Sequence, residues 1–212
     1  MLETMTTALP GRKSEAARND GAILEAGRAV FLADPKAPIA AVAGRAGVGI
    51  SALYRRYPSK EDLLRKLCAD GLRRYLDEAE TALAEADGWA AFAGFLERIV
   101  DADVHSLTVA LAGRFTSTPE MVADARRSGV LTRKLVQHAQ ATGRLRADVV
   151  AEDVGLLLET CAAIRLPDAG RTAQLRRRYL AILLAGLSTT GPALPGPPPA
   201  PDEFNRRWKH PQ

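Results

Sequence analysis

Residues 38–57 read PIAAVAGRAGVGISALYRRY, and this stretch decides the fold. Ile39, Val42 and Ala43 share one face at helical spacing. Gly47 permits a tight turn with positive φ, and Val48 sets an apolar plug beside it. Leu53 and Tyr57, four positions apart, supply the buried face of a second short helix. Ser51 and Arg55 are also four apart and point away from Leu53. Two short helices, a glycine turn and an inward plug describe a helix-turn-helix, whose second helix would enter a major groove. The same pattern also fits a solvated helical hairpin inside a larger bundle.

Working outward, residues 1–18 read as a flexible basic arm, with Arg12, Lys13 and Arg18. A helix is expected from Asn19 or Asp20, as N-cap, to about Ala33. Pro35 and Pro38 separate it from the quoted stretch. Pro58 stops the second short helix, and Ser59-Lys60-Glu61-Asp62 resembles a capping box that opens a long helix to about Glu85. Asp87-Gly88 breaks the pattern. Residues 89–112 form one amphipathic stretch, and Ser117-Thr118-Pro119-Glu120 is a further helix start. Two pieces, 119–127 and 129–142, and two long helices, about 151–165 and 171–188, complete the body. No stretch holds a strand's period of two, so the chain is expected to be all-α with about nine helices. The division is an arm (1–18), a helix-turn-helix domain (19–66), a helical domain (67–190) and a Pro-rich tail (191–212). Phe204 and Trp208 are expected to dock the tail back onto the body.

Composition narrows the function. Apolar residues make up 47% and charged residues 25%, ordinary for a globular chain. No apolar stretch reaches the roughly 18 residues that cross a bilayer, and the first residues lack a signal-peptide run, so a cytoplasmic protein without a membrane partner is expected. Residues 1–66 hold eleven Lys/Arg against seven Asp/Glu, while the rest is balanced, so the net +4 sits in the first third. That asymmetry favours an acidic partner for this end. Cys68 and Cys161 form no metal-type pair and read as buried, reduced thiols. The three histidines, His105, His138 and His210, have no ligand spacing, and no nucleophile-and-base motif or phosphate loop is present. No catalysis, metal or cofactor is expected.

The run from Asn19 to Leu64 resembles the N-terminal domain of the TetR family of transcriptional regulators. The matching words are Ile23-Leu24-Glu25-Ala26, Val30-Phe31, Val42-Ala43, Arg45-Ala46-Gly47-Val48, Leu53-Tyr54-Arg55-Arg56-Tyr57-Pro58-Ser59-Lys60 and Leu63-Leu64. The resemblance implies an N-terminal three-helix helix-turn-helix domain and a C-terminal helical domain for ligand binding and dimerisation. It implies a homodimer on a double-stranded DNA operator. Tyr54 would hydrogen-bond a phosphate, and Lys60, opening the fourth helix, would meet the DNA backbone. Ser51 and Ala52 stand where the family often has Gly and Thr. Gly49 replaces a frequent capping Ser, and Pro38 a frequent capping Thr. Ala52 lacks a hydroxyl, so one phosphate contact is expected to be missing. Arg45, Arg55 and Arg56 are candidate phosphate or base readers. Ile50 is placed either against a thymine methyl or beside Leu53.

In the second domain Trp89, Phe92, Leu96, Ile99, Val100 and Leu107 share one side of a helical wheel, and Asp103 projects into that stripe. A carboxylate there must be paired, hydrated or protonated. Asp103 is expected either to partner an Arg from a neighbouring helix or to face a ligand cavity suited to a cationic apolar effector. Phe95, Phe115 and Met121 are further candidate cavity walls, and His105 falls on the polar side. Leu157, Cys161 and Ile164, then Leu175, Tyr179, Ile182 and Leu183, leave surplus apolar face on the last two helices, which marks a subunit interface. The expected function is a ligand-responsive regulator, a repressor released by a small apolar effector. The alternative is a DNA-binding regulator without effector, its second domain only dimerising.

Overall fold

The computed structural model describes residues 10–188, 191–200 and 203, with side chains from Ala17 onward. Among the described residues the structure is all-α: α1 (Pro10–Ala33), α2 (Ile39–Ala46), α3 (Ile50–Arg56), α4 (Lys60–Leu83), α5 (Gly88–Asp101), α6 (Val104–Leu111), α7 (Pro119–Ala141), α8 (Ala151–Ala163) and α9 (Ala169–Leu187). The chain divides into two compact units, residues 1–67 and 68–212, with the boundary inside α4.

In the first unit α1, α2 and α3 close over Ile23, Phe31, Val42, Leu53, Tyr57 and Leu63, each at most 4% exposed. Phe31, Val42, Leu53 and Leu63 are fully buried, each worth about 1.5–3 kcal/mol of burial. Gly47 caps α2 in the left-handed region at φ +66°, where a Cβ is strained. Asp62 N donates to Ser59 Oγ over 3.1 Å, and the Ser59 hydroxyl donates to the Asp62 carboxylate over 2.6 Å. The shorter Asp side chain meets the Ser hydroxyl, where a capping-box Glu reaches the N-cap backbone.

The second unit packs α5 to α9 around Phe92, Phe95, Leu96, Ile99, Leu135, Leu158 and Leu180. Thr118 caps α7 by accepting from Met121 N over 3.3 Å, with Pro119 in the first turn. The Arg146–Asp148 pair holds the start of the tail: Arg146 Nη2 donates to Pro192 O over 2.8 Å, and Leu194 N to Asp148 Oδ2 over 2.9 Å. Cys68 and Cys161 are free, buried thiols, and burial pushes the Cys68 thiol up to about 12.

Several sequence expectations are corrected. The first helix starts at Pro10, not at an N-cap at Asn19 or Asp20, so residues 10–18 are helical and not an irregular arm. Helix continues through these positions because no proline interrupts 11–33, and it passes through the turn-prone Asn19-Asp20-Gly21 without a break. The two pieces of 119–142 are one helix; Gly129 costs about 1 kcal/mol there without breaking it. The stretch 89–112 is two helices, because Asp103 adopts φ +50° and ends the first register. Residues 1–9, Phe204 and Trp208 lie outside the described residues.

Candidate nucleic-acid interface

Helix α3 is seven residues long and buries only Leu53. The turn before it satisfies its own backbone: Val48 N donates to Ala43 O over 3.1 Å and Leu53 N to Gly49 O over 3.1 Å. Burying Leu53 on α1 and α2 turns the opposite side of α3 outward. Ser51 and Arg55 are exposed there, Tyr54 is 45% exposed and Ile50 41%. Ile50 thus presents a large apolar side chain on the outer surface of α3. Ala52 is half-buried, and Pro38 and Gly49 stand exposed as helix N-caps without a side-chain cap bond. Arg45 is exposed in the last turn of α2. Among the described residues Arg45, Tyr54 and Arg55 show no ion pair or side-chain hydrogen bond.

Two neighbours behave differently. Arg56 forks onto Asp20 of α1, Nε to Oδ1 over 2.8 Å and Nη2 to Oδ2 over 3.1 Å. Lys60 Nζ donates to Ala37 O over 2.7 Å and Pro35 O over 3.4 Å, and lies 5.1 Å from the centre of the Phe31 ring. Its ammonium ties the start of α4 to two carbonyls of the α1–α2 loop. A sequence reading does not reveal either engagement, because the partners lie 20 residues or more away in the chain.

In the second unit the candidate pocket residues occupy the packed interior. Phe92, Leu96 and Ile99 are fully buried; Leu107 and Phe115 are 2% exposed. Trp89 sits under the Arg144 guanidinium at 5.1 Å, and Met121 is half-buried at the start of α7. Ile99, Val100 and Asp103 of the expected stripe line one small cavity, together with His105, Leu158, Cys161, Ala162 and Arg176. It holds about 10 Å³, room for one water. His105 reaches this cavity because the left-handed residue at 103 rotates the following helix, so the single-wheel placement on a polar side does not hold. Arg176 is 7% exposed. It donates to Asp103 Oδ1 over 2.6 Å, Ser106 Oγ over 3.1 Å, Ala162 O over 3.2 Å and Ile164 O over 3.0 Å. One signal for Arg176 existed: it stands four and eight positions before the buried Leu180 and Leu184.

The candidate interface residues divide. Leu157 and Cys161 are buried in the core, and Ile164, Leu175 and Leu183 are half-buried. Tyr179 at 48%, Ile182 at 55% and Leu156 at 44% exposure form the outward apolar positions of α8 and α9. No helix of the described residues is long and apolar enough to cross a membrane.

Comparison with known proteins places both units. A family model described as bacterial regulatory proteins, tetR family, matches residues 23–67, and one described as transcriptional regulator SbtR-like, C-terminal domain, matches residues 87–189. No curated protein matches the chain. Among solved structures, the TetR transcription regulatory protein of Mycobacterium vanbaalenii is 27% identical with a TM-score of 0.55, over 84% of this chain and 99% of its own. A TetR transcriptional regulator of Streptomyces coelicolor is 25% identical with a TM-score of 0.57, over 82% of this chain and 99% of its own. LfrR of Mycobacterium smegmatis, solved in complex with proflavine, shares the fold at 23% identity and a TM-score of 0.51, over 78% of this chain and 95% of its own. The two family matches fall on different stretches and agree with each other and with the helix-turn-helix geometry: this chain belongs to the TetR family of transcriptional regulators.

Proposed function

We propose that this regulator is a cytoplasmic repressor that binds a palindromic operator as a homodimer, with α3 in the major groove. The observation that carries the reading is the outer surface of α2 and α3, where Arg45, Tyr54 and Arg55 stand exposed, without a side-chain partner among the described residues, beside Ser51 and Ile50. Unpaired cations and a phenol hydroxyl are the groups that engage phosphates and base edges. One seven-residue helix reads too few base pairs for useful specificity. Two of them around a two-fold axis read half-sites whose centres lie about 10–10.5 base pairs, or a multiple, apart. The outward apolar positions Leu156, Tyr179 and Ile182 are the surface through which α8 and α9 would pair with a second copy. The experiment is selection of duplexes from a randomised pool, followed by footprinting and sedimentation. An imperfect palindrome bound by a dimer is expected. Protection of one asymmetric half-site, or a monomer at saturating DNA, overturns the reading.

For the second unit, we propose release by a small, neutral apolar effector admitted at the break between α5 and α6. The Asp103 carboxylate already carries the Arg176 guanidinium, so it does not select a cation. A second reading, a regulator whose second unit only dimerises, draws on the closed packing of Phe92, Leu96, Ile99 and Phe115. Titrating the operator complex with a panel of neutral, cationic and anionic apolar compounds separates the two. Release by none of them favours the effector-free reading.

A further inference from the structure

Asp20 on α1 lies 36 residues before Arg56 in the chain, yet its carboxylate accepts three side-chain donors from the end of α3. Arg56 supplies two, at 2.8 Å and 3.1 Å, and the Tyr57 hydroxyl supplies the third, to Oδ1 over 2.7 Å. The Arg56 guanidinium carbon also lies 5.3 Å from the centre of the Tyr57 ring. Tyr57 is 4% exposed and the Asp20 side chain 21%. A forked arginine–carboxylate contact is among the stronger side-chain pairs, and it fixes orientation as well as distance. Helix α3 has no side-chain cap at its N-terminus and buries one residue, so contacts at its far end do much to set its pitch. The Arg56 guanidinium holds the Asp20 carboxyl below the usual carboxylate range, so the pair is charged at neutral pH.

These contacts separate Arg56 from its neighbours. Arg45 and Arg55, which have no ion-pair partner among the described residues, meet an approaching phosphate without displacing one. A phosphate that takes Arg56 must displace a two-pronged carboxylate, and the uncovered Asp20 then faces it as a like charge. We propose that Asp20 is a positioning residue for DNA binding: it fixes the end of the recognition helix through Arg56 and Tyr57 and withholds Arg56 from the DNA phosphates. The proposal rests on the DNA-binding reading above and adds a division of labour among three arginines that look equivalent in the sequence.

The test is binding of a mixed-sequence duplex by fluorescence anisotropy across a salt series, for wild type, D20N, R56Q and the double variant. R56Q is expected to keep the wild-type slope of log K against log salt. D20N frees Arg56 and steepens the slope by about 0.9, the value of one added phosphate contact. The double variant returns to the wild-type slope, and D20E keeps it. A slope that falls by about 0.9 in R56Q alone overturns the proposal, because Arg56 then already holds a phosphate. An unchanged slope in folded D20N, or a steepening that persists in the double variant, overturns it too. Should D20N fail to fold, R56Q decides by itself, since Arg56 is 55% exposed in its side chain. Wild type that binds the duplex without salt dependence overturns the DNA-binding reading as well, an outcome distinct from a shifted R56Q slope on a binding wild type.

Discussion

Arg176 Nη1 of α9 lies 2.6 Å from Asp103 Oδ1, at the residue that separates α5 from α6. Asp103 is the only non-glycine residue with positive φ among the described residues, at +50°. A left-handed aspartate costs about 1–3 kcal/mol unless its surroundings hold it. Arg176 supplies that hold, and it also closes the carbonyls of Ala162 and Ile164 at the end of α8. One guanidinium thereby joins α6, α8 and α9.

Replacing Arg176 by Met is expected to destabilise the protein by about 3 kcal/mol. That is the low end for breaking a buried pair, because the Asp103 side chain keeps 30% exposure. Asp103→Gly loses the same pair but relieves the backbone, so it should be more stable than Asp103→Ala by about 1 kcal/mol. Urea denaturation of the three variants measures both differences. Equal stability of the Gly and Ala variants would show that position 103 is not strained.

Gly88 opens α5 where that helix crosses α7. A Cβ there would lie 2.1 Å from the carbonyl oxygen of His138. Backbone cannot yield as a side-chain tip does, so Gly88→Ala should cost about 3 kcal/mol and lower the melting temperature by several degrees. Gly44→Ala, which meets nothing within 4 Å, should be neutral or slightly stabilising, by up to about 1 kcal/mol. Thermal melts of the pair compare a close approach with an open surface.

On the DNA side, Tyr54→Phe and Arg45→Ala are expected to weaken binding to all duplexes by a similar factor, up to about tenfold each. Arg55→Ala should relax preference at one base position if it reads a base edge. Lys60→Met should leave the salt slope unchanged and lower the melting temperature, because its ammonium bridges the α1–α2 loop. Binding assays across salt with a selected duplex check all four. A slope lowered by about one in Lys60→Met would return that ammonium to the phosphates.

Acid should release the start of the tail. The Arg146 guanidinium, and then the Leu194 amide, hold the Asp148 carboxyl well below its ordinary value of 3.8. A depressed folded value means that the stabilisation is complete above the unfolded value and is lost as pH falls below it. The Leu194 amide proton shift is therefore expected to be constant from neutral pH to about pH 4 and to move only in stronger acid. Asp148→Asn should show the acid-type shift already at neutral pH. A Leu194 shift that titrates near the ordinary carboxylate value would remove Asp148 from the anchor.

The sequence by itself determined the parts of this protein that rest on neighbours in the chain. The fall of Leu53 and Tyr57 on one side of α3, the left-handed turn at Gly47 and the Thr118-Pro119 start of α7 all depend on residues within a turn or two. The same holds for the all-helical class and for the family words between Ile23 and Leu64. Only the tertiary structure decided which charges are free. Arg45, Arg55, Arg56 and Lys60 look alike as letters, but Asp20 and the Ala37 carbonyl engage two of them from 23 residues or more away. Asp103 shows the same division. A helical wheel aims it at the interior, while its break in the helix and its pairing come from an arginine 73 residues later. A single wheel assumes one unbroken register, and a pairing across that distance exists only once α5, α6, α8 and α9 have packed, because side-chain charges act over a few ångströms and the chain brings them that close only by folding.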